Sequence, residues 1–234
     1  MNRLETELRR LYVPADAQQA ASLDAIDLAG RDGRVRALVL AMQRPAGWSE
    51  LSRVWKGVQV DLDMPAPAIV VDGSGAYQLW FSLVEPIGVR DAATFLEALR
   101  THYLADVAPE RVRMPQAGAL PPTLVAPEQW SAFVTPDLAP LFAEERWLDH
   151  PPGIDAQADL LSRVASTPAE IFVRACARLQ PAQAAPVQPD AVPARRDTAS
   201  PGDELDPRSF LLQVMRDPTV DLRLRIEAAK ALLP

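Results

Sequence analysis

The sequence predicts an α+β protein, with a central, mainly antiparallel sheet flanked by helices, then a linker and a short C-terminal helical pair. Three patterns carry this expectation. Between Pro65 and Pro86, two apolar runs, Ala68–Val71 and Tyr77–Leu83, are joined by the small-residue turn Asp72-Gly73-Ser74-Gly75-Ala76, which reads as a β-hairpin. On either side of it apolar residues recur at helical spacing, most clearly over 89–104. Beyond residue 179 the composition changes, and QPAQAAPVQPDAVPARRDTASPG holds almost no large apolar side chain.

Taken in order, Leu4, Leu8 and Leu11 predict a helix over 2–12, and the Ala- and Gln-rich stretch 15–29 a second one. The run Val35 to Met42 after Asp32-Gly33 reads as a strand. Residues 47–57 read as a helix with Trp48, Leu51, Val54 and Trp55 on one face. In VQVDLDM the alternation of Val58, Val60 and Leu62 with Gln59, Asp61 and Asp63 has the period of a strand. After the hairpin and the helix 89–104, Arg111 to Pro115 reads as extended, 116–128 as irregular, and 129–134 as a strand. Thr135-Pro136 and Thr167-Pro168 look like helix starts, the second with Glu170 completing a capping box. Residues 1–179 therefore form the main domain. Residues 180–203 form a linker, because they bury too little apolar surface to fold. Asp206-Pro207 and Asp217-Pro218 open the two helices of 204–234, lined by Phe210, Leu211, Leu222 and Ile226 and able to meet a protein partner.

The composition excludes several classes. A net charge of −7 opposes strong nonspecific attachment to nucleic acid, although a local arginine patch stays open. One cysteine, Cys176, precludes an intramolecular disulfide and a cysteine zinc cluster. Two histidines, His102 and His150, cannot supply a three-histidine metal site. No apolar run reaches the length of a membrane span, and MNRLETELRRLY lacks the apolar core of a signal peptide, so a cytoplasmic protein is expected.

Four features bear on chemistry. Gln78 is a primary amide in an apolar strand just after a glycine-containing turn, where it must find hydrogen-bond partners, and Trp80 shares its face. Arg111 and Arg113, alternating along an extended segment, would point the same way and could clamp a phosphate or carboxylate. Asp61 and Asp63, on one side of a strand, could hold a divalent Mg or Mn ion; the same pair also suits the solvent side of an edge strand. Ser74 sits between two glycines, but a strand–turn–strand context is that of a turn serine rather than of a nucleophile elbow.

The segment PAPAIVVDGSGAYQLWFSL resembles the core hairpin of RepB-like primases, plasmid members of the archaeo-eukaryotic primase superfamily. That family shows a Pro, an apolar strand, a Ser/Pro/Gly-rich turn and then Tyr-Gln-Ala-Trp, where this chain has Tyr77-Gln78-Leu79-Trp80. Tyr103-Leu104-Ala105-Asp106 and Arg113-Met114-Pro115 resemble further elements, so the likeness spans roughly residues 34–116. The family carries metal-binding acids at the end of a strand that precedes a helix, whereas Leu40-Ala41-Met42-Gln43 is acid-free. The resemblance therefore implies a catalytically degenerate primase-like module of plasmid or phage-related DNA transactions. It would bind a nucleotide or single-stranded nucleic acid through Gln78, Trp80, Arg111 and Arg113, with no cofactor unless Asp61 and Asp63 form a site. Two alternatives stand beside it, a non-enzymatic interaction module acting through the C-terminal helices and an active nucleotidyltransferase using Asp61 and Asp63.

Overall fold

The computed structural model describes residues 2–18, 23, 26–45 and 47–180. They belong to one compact unit, Met1–Ala185. The predicted linker past residue 180 and the helical pair 204–234 lie outside the described residues.

The element order is α1 (Arg3–Tyr12), β1 (Ile26–Asp27), β2 (Arg34–Gln43), α2 (Trp48–Val60), β3 (Ala68–Val71), β4 (Ala76–Gly88), α3 (Val89–Tyr103), β5 (Val112–Arg113), β6 (Ala117–Gly118), β7 (Leu124–Ala126), β8 (Gln129–Trp130), β9 (Ala132–Val134), α4 (Ile154–Ser162) and α5 (Ala169–Leu179). From β2 to β5 this is strand–helix–strand–strand–helix–strand, and those strands lie in the order β5-β2-β4-β3 with β9 added at one edge. Every pairing in this five-stranded sheet is antiparallel. A split βαβ unit of the ferredoxin-like kind has this connectivity. The expected α+β class, with helices on an antiparallel sheet, is what forms.

The period of two along the strands sorts the core into two layers. Leu38, Leu40 and Met42 of β2, Ile69 and Val71 of β3, and Tyr77, Leu79, Phe81 and Leu83 of β4 face α2, α3 and α5. Ala37 and Val39, Ala68 and Val70, Trp80, and Phe133 of β9 face α1 and α4. Helix α1 presents Leu4, Leu8 and Leu11 to this second layer, and the Asn2 side chain caps its start by accepting the Glu5 N–H at 2.7 Å.

Three expectations are corrected. The described residues of 15–29 do not form the expected helix. Ala15–Ala17 is one 3₁₀ turn, and Ile26–Asp27 pairs with Ala117–Gly118. The Asp16 carboxylate accepts the Arg31 N–H and that of Asp27 accepts the Ala29 N–H, so both side chains bond loop backbone instead of extending a helix. Nor is VQVDLDM a strand: α2 continues to Val60, because Leu51, Val54 and Val58 keep helical spacing into the core while Val60 stays 76% exposed. Asp61 becomes the helix C-cap, and Asp63 takes a left-handed conformation at φ 55°. Third, Thr167 does not cap α5; its N–H donates to the Ser82 carbonyl of β4, and the free Ala169 N–H is met by the Glu85 carboxylate at 2.9 Å. A capping contact occurs at α2 instead, where Glu50 accepts the Gly47 N–H at 2.8 Å.

Candidate functional site

The hairpin turn sets the site. Asp72 accepts the N–H groups of Ser74, Gly75 and Ala76 and the Ser74 hydroxyl, all within 2.9 Å. Gly73 and Gly75 adopt φ values of 80° and 117°, which side chains with a Cβ disfavour. A Cβ on Gly73 would also meet Val125 at 2.7 Å, so this glycine lets the 115–131 segment close over the turn. Ser74 is a turn residue, as its context suggests.

The turn fixes the register, and the register aims Gln78 and Trp80 at the second face. Gln78 lies between Ala41 and Val70, and Trp80 between Val39 and Ala68. The Trp80 indole N–H donates to Gln78 Oε1 at 2.7 Å. Trp80 is 4% exposed and stands edge-on to Tyr12 at 5.2 Å, so it forms wall and orienting donor rather than an open stacking platform. With its oxygen held this way, the Gln78 amide nitrogen has no partner among the described residues. Gln78 borders a cavity of about 190 Å³ that α1 and α4 leave uncovered on this face.

Pro115, Pro121 and Val125 form an apolar roof over that cavity, and Thr123 and Ser131 its polar flank. Those two bond each other, the Ser131 hydroxyl accepting the Thr123 N–H at 2.8 Å and donating to its carbonyl at 3.2 Å. Gln78 thus supplies the donor left open to a ligand.

The other predicted residues divide. Arg113 pairs with Ala41, which pairs with Gln78, so both side chains leave the same sheet face two strand spacings apart, roughly 10 Å. Arg111 does not alternate with it. Pro109–Arg111 is a 3₁₀ turn, and the Arg111 guanidinium donates to the Arg44 carbonyl, so the expected clamp is not formed. Asp61 and Asp63 lie beyond the opposite face. Asp61 accepts the Tyr103 hydroxyl at 3.1 Å, and Asp63 pairs with Arg178 at 2.8 Å. Burial and the Asp61 carboxylate both raise the Tyr103 pKa. Among the described residues no group of three His, Cys, Asp or Glu side chains is placed to hold a metal ion. Cys176 packs on the α2–α3–α5 side, where burial pushes its thiol pKa up.

Sequence reasoning missed Arg146. Only 1% exposed, it donates to the carbonyls of Met42 at 3.1 Å and Gly75 at 3.0 Å and lies 4.6 Å over the Tyr77 ring. Burial lowers its pKa. It ties the acid-free end of β2 to the hairpin turn, and nothing in Glu144-Glu145-Arg146-Trp147 distinguishes it from a solvated charge. A second hollow, an apolar groove of about 650 Å³, follows the β9 edge between Trp55 and α4 and contains none of the predicted residues.

No family model matches the chain, and no curated protein matches it. No helix among the described residues is long and apolar enough to cross a membrane. The described residues form an α+β protein with a split βαβ core and a small, amide-bearing cavity on its half-covered sheet face.

Proposed function

We propose that the chain is a catalytically degenerate primase-like module that binds a nucleotide or the end of a nucleic-acid single strand, in cytoplasmic DNA transactions of plasmid or phage type. The observation that carries this reading is Gln78 at the cavity wall, its amide oxygen held by Trp80 and its nitrogen without a partner among the described residues. Such a fixed N–H pair donates to a base carbonyl, a ring nitrogen or a phosphate oxygen. Arg113, on the same face, neutralises a phosphate roughly two strand spacings away.

Two further points support it. The hairpin with Tyr77-Gln78-Leu79-Trp80 is the second and third strand of the split βαβ unit, so the residues that resemble the family occupy its central and edge-proximal strands. At the end of β2, Ala41 and Gln43 occupy the face on which Gln78 lies, and the buried Arg146 cation is bonded to the adjacent Met42 carbonyl. A carboxylate pair for divalent ions has no place there, so the reading is of binding without strand synthesis. Asp61 and Asp63, engaged by Tyr103 and Arg178 across the sheet, add nothing to the cavity.

The test is a titration of the full chain with a nucleoside triphosphate and with single-stranded DNA at low salt, following the Gln78 side-chain amide by NMR. The expected result is a shift of that amide, weakened in Arg113→Ala with a shallower salt dependence, and in Gln78→Leu a weaker binding followed through the backbone amides around the cavity. No shift with either ligand at millimolar concentration would sink the reading.

A further inference from the structure

The opposite end of β2 carries an arginine-walled pocket that the Gln78 cavity does not involve. Val35 pairs with Ile87 but Ala37 pairs with Ser82, so Arg36 alone faces Leu83, Val84, Glu85 and Pro86 across a wide bulge. Arg36 Nε donates to the Leu83 carbonyl at 3.4 Å, and Arg34 Nε to the Pro86 carbonyl at 3.0 Å. These contacts account for part of each guanidinium. The terminal nitrogens of Arg36 have no partner among the described residues, and the Arg31 guanidinium has none at all there.

Carboxylates stand near but are engaged elsewhere. Asp16 accepts the Arg31 backbone N–H at 2.8 Å, and Asp32 that of Arg34 at 3.0 Å. Glu85, on the bulge itself, turns to the start of α5. Of the ion pairs among the described residues none contains Arg31, Arg34 or Arg36. The three side chains, with Pro14, Asp16 and Pro86, border a pocket of about 220 Å³. Arg10, bonded to Glu7 and to the Leu161 and Val164 carbonyls, adds to the positive field. Burial first and Arg10 second lower the Arg36 pKa, as befits a half-buried cation without a counter-charge.

We propose that this pocket binds a phosphoryl group, held by Arg31 and Arg36 with the remaining Arg34 donors. Planar guanidinium forks match the oxygens of a tetrahedral dianion. A monoanionic carboxylate binds less tightly, because Asp16 and Asp32 on the same rim offset part of the arginine charge and a dianion gains more from what remains. The proposal is independent of the Gln78 cavity. The phosphoryl group can come from a small anion or from the terminus of a nucleic acid, and the test distinguishes them.

The experiment titrates the full chain at low salt with inorganic phosphate, pyrophosphate, acetate and an oligonucleotide with and without a 5′-phosphate, following arginine Nε–Hε signals by NMR. Phosphate or pyrophosphate should move the Arg31 and Arg36 signals, with acetate much weaker. Arg36→Gln should weaken binding about tenfold. Arg31→Gln, on an exposed turn whose loss does not threaten folding, should weaken it too, while Gln78→Leu leaves it unchanged. Preference for the 5′-phosphorylated strand over the unphosphorylated one assigns the strand terminus as source; equal binding of the two assigns a small anion. Absence of phosphate and pyrophosphate binding, or binding undiminished in both arginine variants, would overturn the proposal.

Discussion

Along β4 the two faces of one strand can be compared residue by residue. Toward α2, α3 and α5 it projects Leu79, Phe81 and Leu83 into hydrocarbon; toward α1 and α4 it projects Gln78, Trp80 and Ser82. The polar groups of the second face are handled in two ways. Ser82 is closed off, donating to the Leu11 carbonyl at 2.8 Å and bonding Ser166 at 2.7 Å. Gln157 of α4 is closed off too, because its amide accepts the Phe133 N–H at 2.8 Å and donates to the Phe133 carbonyl at 3.0 Å. It thereby acts as a one-residue strand partner at the β9 edge. Gln78 is left half open. The difference teaches that one face supplies most of the cohesion, while the other exchanges hydrocarbon for oriented polar groups, one of which faces a cavity.

The largest effect expected from this contrast is at Leu79, fully buried between Gln78 and Trp80 in sequence but on the dry face. Leu79→Ala should cost about 3 kcal/mol in equilibrium unfolding by denaturant, from lost transfer energy plus a residual cavity. Gln157→Leu is the next. It leaves the buried N–H and carbonyl of Phe133 without side-chain partners, for a loss of about 2 kcal/mol. A larger loss at Gln157 than at Leu79 would break the comparison, since cohesion would then reside in the polar face.

How much of this was legible depends on how local its causes are. The hairpin could be read because alternation and turn chemistry are both written within Ala68–Leu83. The helices 3–12 and 89–103 were legible for the same reason, as apolar residues at a period that one element displays alone. VQVDLDM was misread because seven residues suit either period, and what decides is the packing of Val54 and Val58 on a sheet not yet assembled. Gln78 reads in the sequence as an amide that needs partners, but the sequence does not show that Trp80 bonds only its oxygen. The roof from Pro115 to Val125 has no periodicity to read, and Arg146 acquires its place from Met42 and Gly75, both far from it in sequence. Arg111 was misplaced because Pro109 begins a turn that breaks the alternation.

The smallest expected effect is acid sensitivity, which should distinguish the helices of the dry face by cause. Glu50 at the start of α2 is held below the usual carboxylate range by the Ser49 hydroxyl and then the Gly47 N–H. On α3, Glu97 is lowered first by its hydrogen bond to Arg100, and Asp106 just beyond it by that to Arg53. Each folded pKa lies below its ordinary value. The stabilisation is therefore fully present above that ordinary value and is lost as pH falls through the folded one, which puts the loss below about pH 4.5 for the glutamates. The Glu97 and Asp106 contributions come from exposed ion pairs and should fade in high salt. The Glu50 contribution rests on hydrogen bonds from neutral donors at a helix start and should persist in salt. Unfolding measured from neutral to acid pH at low and high salt checks this: Glu50→Gln should flatten the acid slope under both conditions, and Glu97→Gln only at low salt. On the other face Glu5, lowered first by its bond to Arg9, is the corresponding group of α1. If amide exchange in acid shows α1 opening before α2 at high salt, the dry face is the firmer one, as the comparison requires; if α2 opens first, it is not.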